Sequence, residues 1–137
     1  MEKALIREMQ PKELAEVASF AKLSQPDSGK RALALVALVD GQVAGYAEMA
    51  PTFFNCEFIS LLSVHPAHRR RGVATALMKA VEARCQGEKL FTSTNLSNQP
   101  MQALLGKIGY RRCGMVEDLD EADPELIFVK RLTASSG

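Results

Sequence analysis

The sequence predicts an α/β fold, with a single domain built on a mixed, mostly antiparallel sheet flanked by helices. In the first half of the chain, two apolar runs of strand length stand on either side of Asp40-Gly41, which is a strong signal for a β-hairpin. In the second half, such runs alternate with segments whose apolar residues recur at helical spacing. Because the chain has 137 residues and is 47% hydrophobic, it can bury one core of ordinary size. This order of elements predicts one sheet with helices packed on its faces.

The first half of the chain predicts four strands and one helix. Pro11 suits the first turn of a helix, and apolar residues from Leu14 to Ala21 follow at helical spacing. The segment 25–30 (Gln-Pro-Asp-Ser-Gly-Lys) has the composition of a loop. Pro66 ends the last strand of this half, because proline has no amide to donate to a sheet. In chain order we expect a strand at residues 4–8, the helix from Pro11, and strands at residues 32–39, 43–50 and 57–64.

The second half predicts two helices and three strands. Apolar side chains recur every three or four residues from Val73 to Val81, so residues 72–85 predict an amphipathic helix. A second helix, at residues 100–108, is followed by Gly109, the residue type that most often terminates a helix. Short apolar runs at residues 89–94, 110–116 and 126–130 complete the sheet.

Charge and chain organisation narrow the class of protein. One domain is expected over residues 1–132, and the small, polar tail at residues 133–137 predicts disorder. The net charge of +1 argues against a protein that coats nucleic acid, so no nucleic-acid partner is expected. The charges are unevenly placed, with a basic cluster at residues 68–71 and an acidic stretch at residues 117–125. We interpret the acidic stretch as a solubilising connection between the last two strands, or alternatively as an attractor for a cationic amine.

The cysteines and the apolar segments indicate a cytoplasmic location. Cys56, Cys85 and Cys113 are widely spaced and odd in number, so neither a metal site nor a disulfide framework is expected. The first residues lack the apolar core of a secretory signal. The longest apolar stretch, near residues 33–39, is too short to cross a bilayer, so no membrane partner is expected.

The segment 61–78 indicates a function. A buried strand ends at Val64, a basic turn follows, and a helix begins near Gly72. The first amides of a helix have no intrahelical partner, and the helix dipole adds partial positive charge there. Because Gly72 has no side chain and Ala74 a small one, an anion can approach this backbone closely. With the three arginines at 69–71, the segment predicts an anion pocket suited to a pyrophosphate, without the pattern of a P-loop or of a Rossmann site.

The pattern Arg69-x-x-Gly72-x-Ala74 resembles the Arg/Gln-x-x-Gly-x-Gly/Ala signature of the GNAT N-acetyltransferase family. The preceding Val64-x-Pro66 matches that family too. In the family, the amides of the signature hold the pyrophosphate of acetyl-CoA, and the strand before it pairs with the pantetheine arm. The resemblance therefore implies a GNAT-like fold with acetyl-CoA as co-substrate, and a sheet splayed near the cofactor strand.

A second stretch is similar to the family's later motif, in which an asparagine contacts the cofactor arm and a short helix closes on Gly-Phe or Gly-Tyr. Here it reads Ser97-Asn98, then Ala103-Leu104-Leu105, then Ile108-Gly109-Tyr110. Asn98 equally predicts a helix N-cap, and the two roles are compatible. The resemblance implies contacts with acetyl-CoA for Leu62, Ser63, Val64, Arg69, Arg70, Arg71, Gly72, Val73, Ala74, Thr75, Asn98 and Leu105.

The catalytic acid and base depart from the family's pattern. Many members carry a tyrosine seven residues after the asparagine, where it can protonate the CoA thiolate, but this chain has Leu105 there. Tyr110 falls on the closing aromatic, which is usually a packing residue. Some relatives use a glutamate on the strand before the signature, so Glu57 is the candidate catalytic residue and Glu48 a second; a solvent-facing strand glutamate is as good an interpretation of each. Others place a glutamate five residues before the asparagine, where this chain has Ser93.

The resemblance implies an enzyme, an acyltransferase that moves an acetyl group from acetyl-CoA to a primary amine by direct attack. The amine can belong to a small molecule, a peptide or a protein. A covalent route through Ser63 or Cys113 lacks an evident histidine partner, because His65 and His68 both lie in the cofactor turn. One alternative is a non-catalytic acyl-CoA-binding or regulatory protein with the same fold, and a weaker one is a small nucleic-acid-binding protein. Family members are often dimers, which leaves a homodimer open.

Overall fold

The computed structural model describes residues 4–23 and 33–132. This part of the chain forms one seven-stranded sheet and three α-helices, in the chain order that the sequence predicts. The strands are β1 (Leu5–Glu8), β2 (Leu33–Val39), β3 (Gln42–Phe53), β4 (Cys56–Val64), β5 (Lys89–Asn95), β6 (Arg111–Val116) and β7 (Glu125–Arg131). The helices are α1 (Leu14–Ala18), α2 (Val73–Arg84) and α3 (Gln99–Lys107).

The sheet is mixed and mostly antiparallel, as predicted. Its strands lie in the order β1-β2-β3-β4-β5-β7-β6, and only the neighbours β4 and β5 run parallel. The β2–β3 hairpin turns at Asp40 (φ 52°) and Gly41 (φ 78°). A two-residue hairpin turn with two left-handed residues matches the twist of its strands, and Asp-Gly tolerates that conformation at low cost.

The two faces of the sheet bury separate apolar clusters. Along β2, Leu35 and Ala37 belong to the larger cluster, whereas Val36 between them belongs to the smaller one, because successive strand side chains point to opposite faces. Helices α2 and α3 pack on the larger cluster through residues such as Leu77 and Leu105. The short helix α1 covers the smaller cluster. The sheet therefore has one face covered by α2 and α3 and an opposite face covered by α1.

The seam between β4 and β5 is short. Three residue pairs join the strands, the last being Ile59 with Thr92, although β4 continues to Val64. The Thr92 hydroxyl donates to the Ile59 carbonyl (3.1 Å) where the pairing ends. The register of β4 against β3 shifts at Ser60, which forms a bulge and turns β4 away from β5. The sheet is therefore splayed beside the strand that precedes the basic turn, as the sequence resemblance implies.

Some boundaries differ from the prediction. The expected helix at Pro11 to Ala21 is a 3-10 turn at Pro11–Glu13 followed by the five-residue α1. Strand β3 continues past Ala50 to Phe53, because a register shift lets Pro51 leave the regular ladder. The loop expected at residues 25–30 and the tail at residues 133–137 lie outside the described residues.

Candidate active site

The turn between β4 and α2 is held by its own backbone and by a histidine. The amide of His65 donates to the carbonyl of Ala44 (2.8 Å), which continues the β3–β4 pairing by one residue. His65 Nδ1 then accepts from the amide of Ala67 (3.0 Å) and caps the 3-10 turn at Pro66–His68. This histidine nitrogen is therefore engaged in shaping the turn.

The N-terminus of α2 presents free amides to solvent. Arg70 (φ 65°) and Gly72 (φ 77°) both adopt the left-handed conformation, and no side chain caps the helix. The first amide with an intrahelical partner is that of Ala76, which donates to the Gly72 carbonyl (3.0 Å). The amides before it, over residues 73–75, point out of the helix end, where the dipole is positive. The turn thus has the geometry of an anion-binding nest, as the sequence predicts.

Helix α2 approaches the sheet closely because Gly45 has no side chain. A Cβ at Gly45 would lie 2.8 Å from Leu77 Cδ1 and 2.8 Å from Val73 Cγ1, and 3.2 Å from the Ser63 carbonyl oxygen. These atoms belong to the first turns of α2 and to the end of β4. Gly45 therefore fixes the distance between the anion-binding end of α2 and the strand beside it.

A cleft of about 660 Å³ runs between the end of β4, the start of α2 and the start of α3. The structure brings ten of the expected cofactor residues together on its walls: Leu62, Ser63, Val64, Arg69, Arg70, Gly72, Val73, Ala74, Thr75 and Asn98. Arg71 is exposed beside the cleft without lining it. Four further residues line the cleft. His68 belongs to the predicted cofactor turn, and Pro100, Met101 and Leu104 belong to the helix predicted at residues 100–108.

Asn98 caps α3 and faces the cleft. Its Oδ1 accepts from the amide of Met101 (3.2 Å), which confirms the capping interpretation and leaves the role in cofactor contact a prediction. The loop before it is held by the acidic stretch. Asp123 accepts from the Ser97 amide (3.0 Å) and from the Ser97 hydroxyl (2.6 Å). Asp120 accepts from the side-chain amide of Asn95 (2.8 Å).

These bonds give part of the acidic stretch a structural role. The sequence predicts a solubilising loop or an attractor of cations here, and neither role accounts for the contacts of Asp120 and Asp123. Each carboxylate reaches a residue more than twenty positions away in the sequence. No local sequence pattern indicates these hydrogen bonds, because they depend on the pairing of β5 with β7.

A second cavity, of about 180 Å³, occupies the gap between β4 and β5. It shares Leu62, Asn98 and Met101 with the cleft, so the two cavities adjoin. On the α2/α3 side the gap is lined by Leu105 and by Met78. Leu105 is 1% exposed and belongs to the larger core cluster, so it stands behind the cleft at the gap, and not on the cleft wall.

The other side of the gap is polar. Ser60 on β4, Ser93 on β5 and Glu125 on β7 line it there. The hydroxyl of Ser93 donates to Glu125 Oε2 (2.7 Å). The gap therefore leads from the cleft, through the sheet, to a carboxylate on the opposite face. Sequence reasoning identifies Glu125 only as part of the acidic stretch, because its proximity to Ser93 arises from cross-strand pairing.

The structure does not bring Glu57 to either cavity. Glu57 lies near the start of β4 and pairs in register with Leu90, five residues before Leu62. At the rise of a β-strand this is roughly 16 Å from the cleft. Glu57 lines two separate surface cavities, both of which it shares with Gln86. The expected base from β4 is thus placed at the wrong end of the strand for the cleft.

Glu48 and Tyr110 also have defined partners. Glu48 accepts from the hydroxyl of the buried Tyr46 (2.7 Å) and from the hydroxyl of Ser60 (3.1 Å). Tyr110 is 4% exposed, and its hydroxyl donates to Glu82 (2.8 Å). Burial and the bond to Glu82 raise the pKa of Tyr110 far above its usual range. Tyr110 is therefore a packing residue, as expected, and holds its proton.

Two further observations concern metal binding and membrane spanning. Within residues 4–23 and 33–132, no three metal-ligating side chains of the types His, Cys, Asp and Glu come together. In that part of the chain no helix has the length and apolarity needed to span a membrane.

Comparison with known proteins places the chain in a family. A sequence model described as the acetyltransferase (GNAT) family matches residues 3–110. Over 57 residues the chain is 39% identical to mycothiol acetyltransferase of Thermomonospora curvata; this is 42% of the chain but 19% of that protein, so the chain matches only about a fifth of the curated relative's length. A GNAT-family acetyltransferase from Bacillus cereus superposes with a TM-score of 0.82 at 29% identity, covering 93% of this chain and 96% of that one.

A second solved structure has the same fold. A GNAT-family acetyltransferase from Elizabethkingia anophelis, with acetyl-CoA bound, superposes with a TM-score of 0.72, covering 95% of this chain and 99% of that chain. At 13% identity this likeness shows the fold alone. The fold, the free amides at the start of α2 and the matched residues agree with one another: the chain belongs to the GNAT acetyltransferase family.

Proposed function

We propose that this protein transfers an acetyl group from acetyl-CoA to a primary amine by direct attack of the amine on the thioester. The observation that carries the proposal is the continuity of the two cavities. The cleft at the free amides of α2 adjoins a gap that passes through the sheet to a carboxylate. A long anionic thioester and a separate acceptor can thus meet from opposite faces.

The cleft residues fit the chemistry of CoA. Amides over residues 73–75 and the side chains of Arg69 and Arg70 suit a pyrophosphate, since a helix N-terminus and guanidinium groups both favour phosphate oxygens. The β5-facing side of β4 beyond Ile59 is free of the β5 ladder, so its backbone suits the amide-bearing pantetheine arm. Acetyl-CoA supplies an activated acetyl group and a thiolate leaving group.

The cleft favours direct transfer over a covalent enzyme intermediate. The hydroxyl of Ser63 donates to the carbonyl of Phe20 (3.3 Å), on the α1 face, and has no base beside it that could activate it as a nucleophile among the residues described. Cys113 is exposed on β6, which is separated from β4 by two strands. A backbone amide near Leu62 to Val64 is suited to polarise the thioester carbonyl.

A second function has one observation in its favour. Leu105 occupies the position of the family's usual tyrosine and cannot protonate a thiolate, as would be expected of a protein that binds acyl-CoA without turning it over. Release of free thiol from acetyl-CoA in the presence of amines separates the two functions. An active enzyme releases thiol in proportion to amine, whereas a binding protein only retains the ligand.

Calorimetric titration with acetyl-CoA tests the cofactor site, with ATP as comparator. We expect saturable binding of acetyl-CoA that is much tighter than binding of ATP. Gly72→Glu should bind at least about tenfold more weakly than Gly72→Gln, a difference of about 1.4 kcal/mol or more, because only the glutamate adds negative charge at the anion site. Both variants carry the same backbone strain at φ 77°, and a Cβ there meets no atom within 4 Å.

Comparing the two variants separates the effect of the added negative charge from the effect of backbone strain. Urea denaturation of both shows whether they fold equally well. If the two folded variants bind acetyl-CoA alike, the pyrophosphate does not lie at Gly72. If the wild-type protein does not bind acetyl-CoA at millimolar concentration, the proposed function itself is wrong.

A further inference from the structure

We propose that Glu125, oriented by Ser93 at the far side of the β4–β5 gap, is the catalytic base that takes the proton of the acceptor amine. We further infer that this acceptor is a primary amine with an aromatic body, lying on the α1 face of the sheet. The inference rests on the proposed acetyl transfer and identifies the acceptor side of the same site.

Two serine–glutamate pairs flank the gap. On one side Ser60 of β4 donates to Glu48 of the neighbouring strand β3 (3.1 Å). On the other side Ser93 of β5 donates to Glu125 of the neighbouring strand β7 (2.7 Å). The two serines both line the gap. Each edge of the opening therefore carries a carboxylate on the strand behind it.

Glu125 is the better placed of the two carboxylates. It lines the gap itself, whereas Glu48 does not. Glu48 also accepts from the hydroxyl of Tyr46, which is 2% exposed, and burial raises the pKa of that phenol so that it stays a donor. Glu48 is thus bound to a structural partner in the smaller core cluster. Glu125 accepts the hydrogen bond from Ser93 through Oε2. Its other carboxylate oxygen, Oε1, is of a kind that accepts hydrogen bonds from an ammonium group.

The position of Glu125 compensates for a departure from the family's pattern. Ser93 stands where some relatives place a glutamate, five residues before the asparagine. Here the serine hydroxyl holds a glutamate from the adjacent strand at hydrogen-bond distance. A carboxylate therefore lies at the gap although the residue on β5 cannot supply one.

The face around this carboxylate is aromatic. Phe91 lies two residues before Ser93, so the two side chains share a face of β5. The ring of Phe53 packs 4.9 Å from Phe91 and 5.4 Å from Phe58, between centroids. All three rings are partly exposed. An amine whose nitrogen meets Glu125 can lay an aromatic body along these rings, which favour stacked or edge-on aromatic partners.

The proton balance of the transfer closes without a further reactant. Glu125 takes one proton from the ammonium group, and the neutral nitrogen attacks the thioester carbon. The C–N bond forms, the C–S bond breaks, and its electron pair leaves on the CoA sulfur. A second proton from the nitrogen reaches that thiolate through water, and Glu125 returns its proton to solvent. The net products are the amide, CoA thiol and one released proton.

Steady-state thiol release with 2-phenylethylamine tests the base. At pH 7 we expect Glu125→Gln to lower kcat/KM about 100-fold, within the usual contribution of a general base. Glutamine can still accept from Ser93, so the fold should persist, as checked by urea denaturation. Glu48→Gln is the matched control, since it alters the other serine–glutamate pair, and it should stay within about threefold of the wild type. Acetyl-CoA affinity should be unchanged in both variants.

The pH dependence sharpens the test. Alkylamines of this kind titrate near pH 10, so the neutral fraction of the acceptor, which needs no base, rises from about 0.1% at pH 7 to about a quarter at pH 9.5. The deficit of Glu125→Gln should therefore shrink to about tenfold or less at pH 9.5. A deficit that is independent of pH, or one matched by Glu48→Gln, overturns the assignment of Glu125.

Comparing two amines tests the inference that the acceptor is aromatic. We expect kcat/KM for 2-phenylethylamine to exceed that for spermidine at least about tenfold, corresponding to one aromatic contact of ordinary strength. Equal or reversed preference overturns the aromatic acceptor while leaving Glu125 in place. If the protein binds acetyl-CoA yet releases no thiol with 2-phenylethylamine, the acceptor inference fails and the cofactor site stands. If acetyl-CoA does not bind, the proposed function fails first.

Discussion

Leu105 shows how one residue can change the acid–base chemistry of the site. It is 1% exposed at the gap and close to Met101, which lines the adjoining cleft. A leucine there has no proton to give to a leaving thiolate. Because the thiol has a modest pKa, its thiolate is a tolerable leaving group in water, and solvent can serve as the acid.

A tyrosine at this position tests whether that proton limits turnover. Leu105→Tyr should raise kcat with 2-phenylethylamine about tenfold relative to Leu105→Phe, because the two rings differ only in the hydroxyl. The gap of about 180 Å³ beside Leu105 can receive the larger ring, so both variants should fold. Equal rates for the two variants would show that thiolate protonation does not limit the reaction. A fall of both below the wild type would show that the ring obstructs the gap.

Sequence reasoning at the residue scale succeeded where the geometry depends on local backbone. Gly72, Ala74 and Asn98 were predictable, because a helix end, a small residue and a capping side chain leave local patterns. Glu125 was not, because its proximity to Ser93 depends on the pairing of β5 with β7. Glu57 lies on the predicted strand, but the rise of that strand separates it from the cleft by roughly 16 Å.

At the scale of elements, the site depends on how closely α2 lies against the sheet. The element types and their order followed from hydrophobic period and turn residues, but helix–sheet distance leaves no such pattern. Gly45 sets this distance, since a Cβ there would meet Val73 and Leu77 at 2.8 Å each. In the sequence alone, Gly45 lies within an apolar strand, and nothing indicates that a helix packs against it.

Gly45→Ala should displace the first turns of α2. We expect a loss of stability of about 1–3 kcal/mol from overpacking, together with weaker acetyl-CoA binding, because the free amides move relative to β4. Gly106→Ala is the control: this exposed position in α3 has no atom within 4 Å of an added Cβ, and alanine there should stabilise by about 0.5–1 kcal/mol. Urea denaturation and calorimetric titration measure the two effects. Unchanged affinity in folded Gly45→Ala would show that the site tolerates movement of α2.

At the scale of the whole molecule, the described sheet consists of two antiparallel halves joined by one parallel seam. Strands β1 to β4 form one half, and β5, β7 and β6 form the other. Only three residue pairs join β4 to β5, so the gap that serves the proposed chemistry lies at the shortest pairing in the described sheet. The sequence resemblance implied a splayed sheet, but the seam's length is a property of the assembled fold. A longer β4–β5 pairing would hold the two halves of the sheet together more firmly, but it would close the gap that the proposed reaction needs.

Removing the hydrogen bond between Thr92 and Ile59 tests how far the β4–β5 pairing stabilises the sheet. Thr92 is 6% exposed, and its hydroxyl donates to the Ile59 carbonyl at the end of the seam. Thr92→Val keeps the shape but leaves this carbonyl without its side-chain donor, at an expected cost of about 1–2 kcal/mol in urea denaturation. Thr92→Ser, which keeps the hydroxyl and drops a methyl group, should retain the bond and serves as the control.

Hydrogen exchange locates the effect. If the bond closes the seam, Thr92→Val should speed amide exchange in β4 and β5 together, while β1 and β2 keep their wild-type protection, because opening would begin at the shortest pairing. Saturating acetyl-CoA should slow exchange at both edges of the gap, since a ligand that binds only the closed arrangement stabilises it by about 2.7 kcal/mol at 100 times its Kd. Faster exchange spread evenly over the whole sheet would mean that the halves do not separate at the seam, and that the gap is a rigid opening in a cooperative fold.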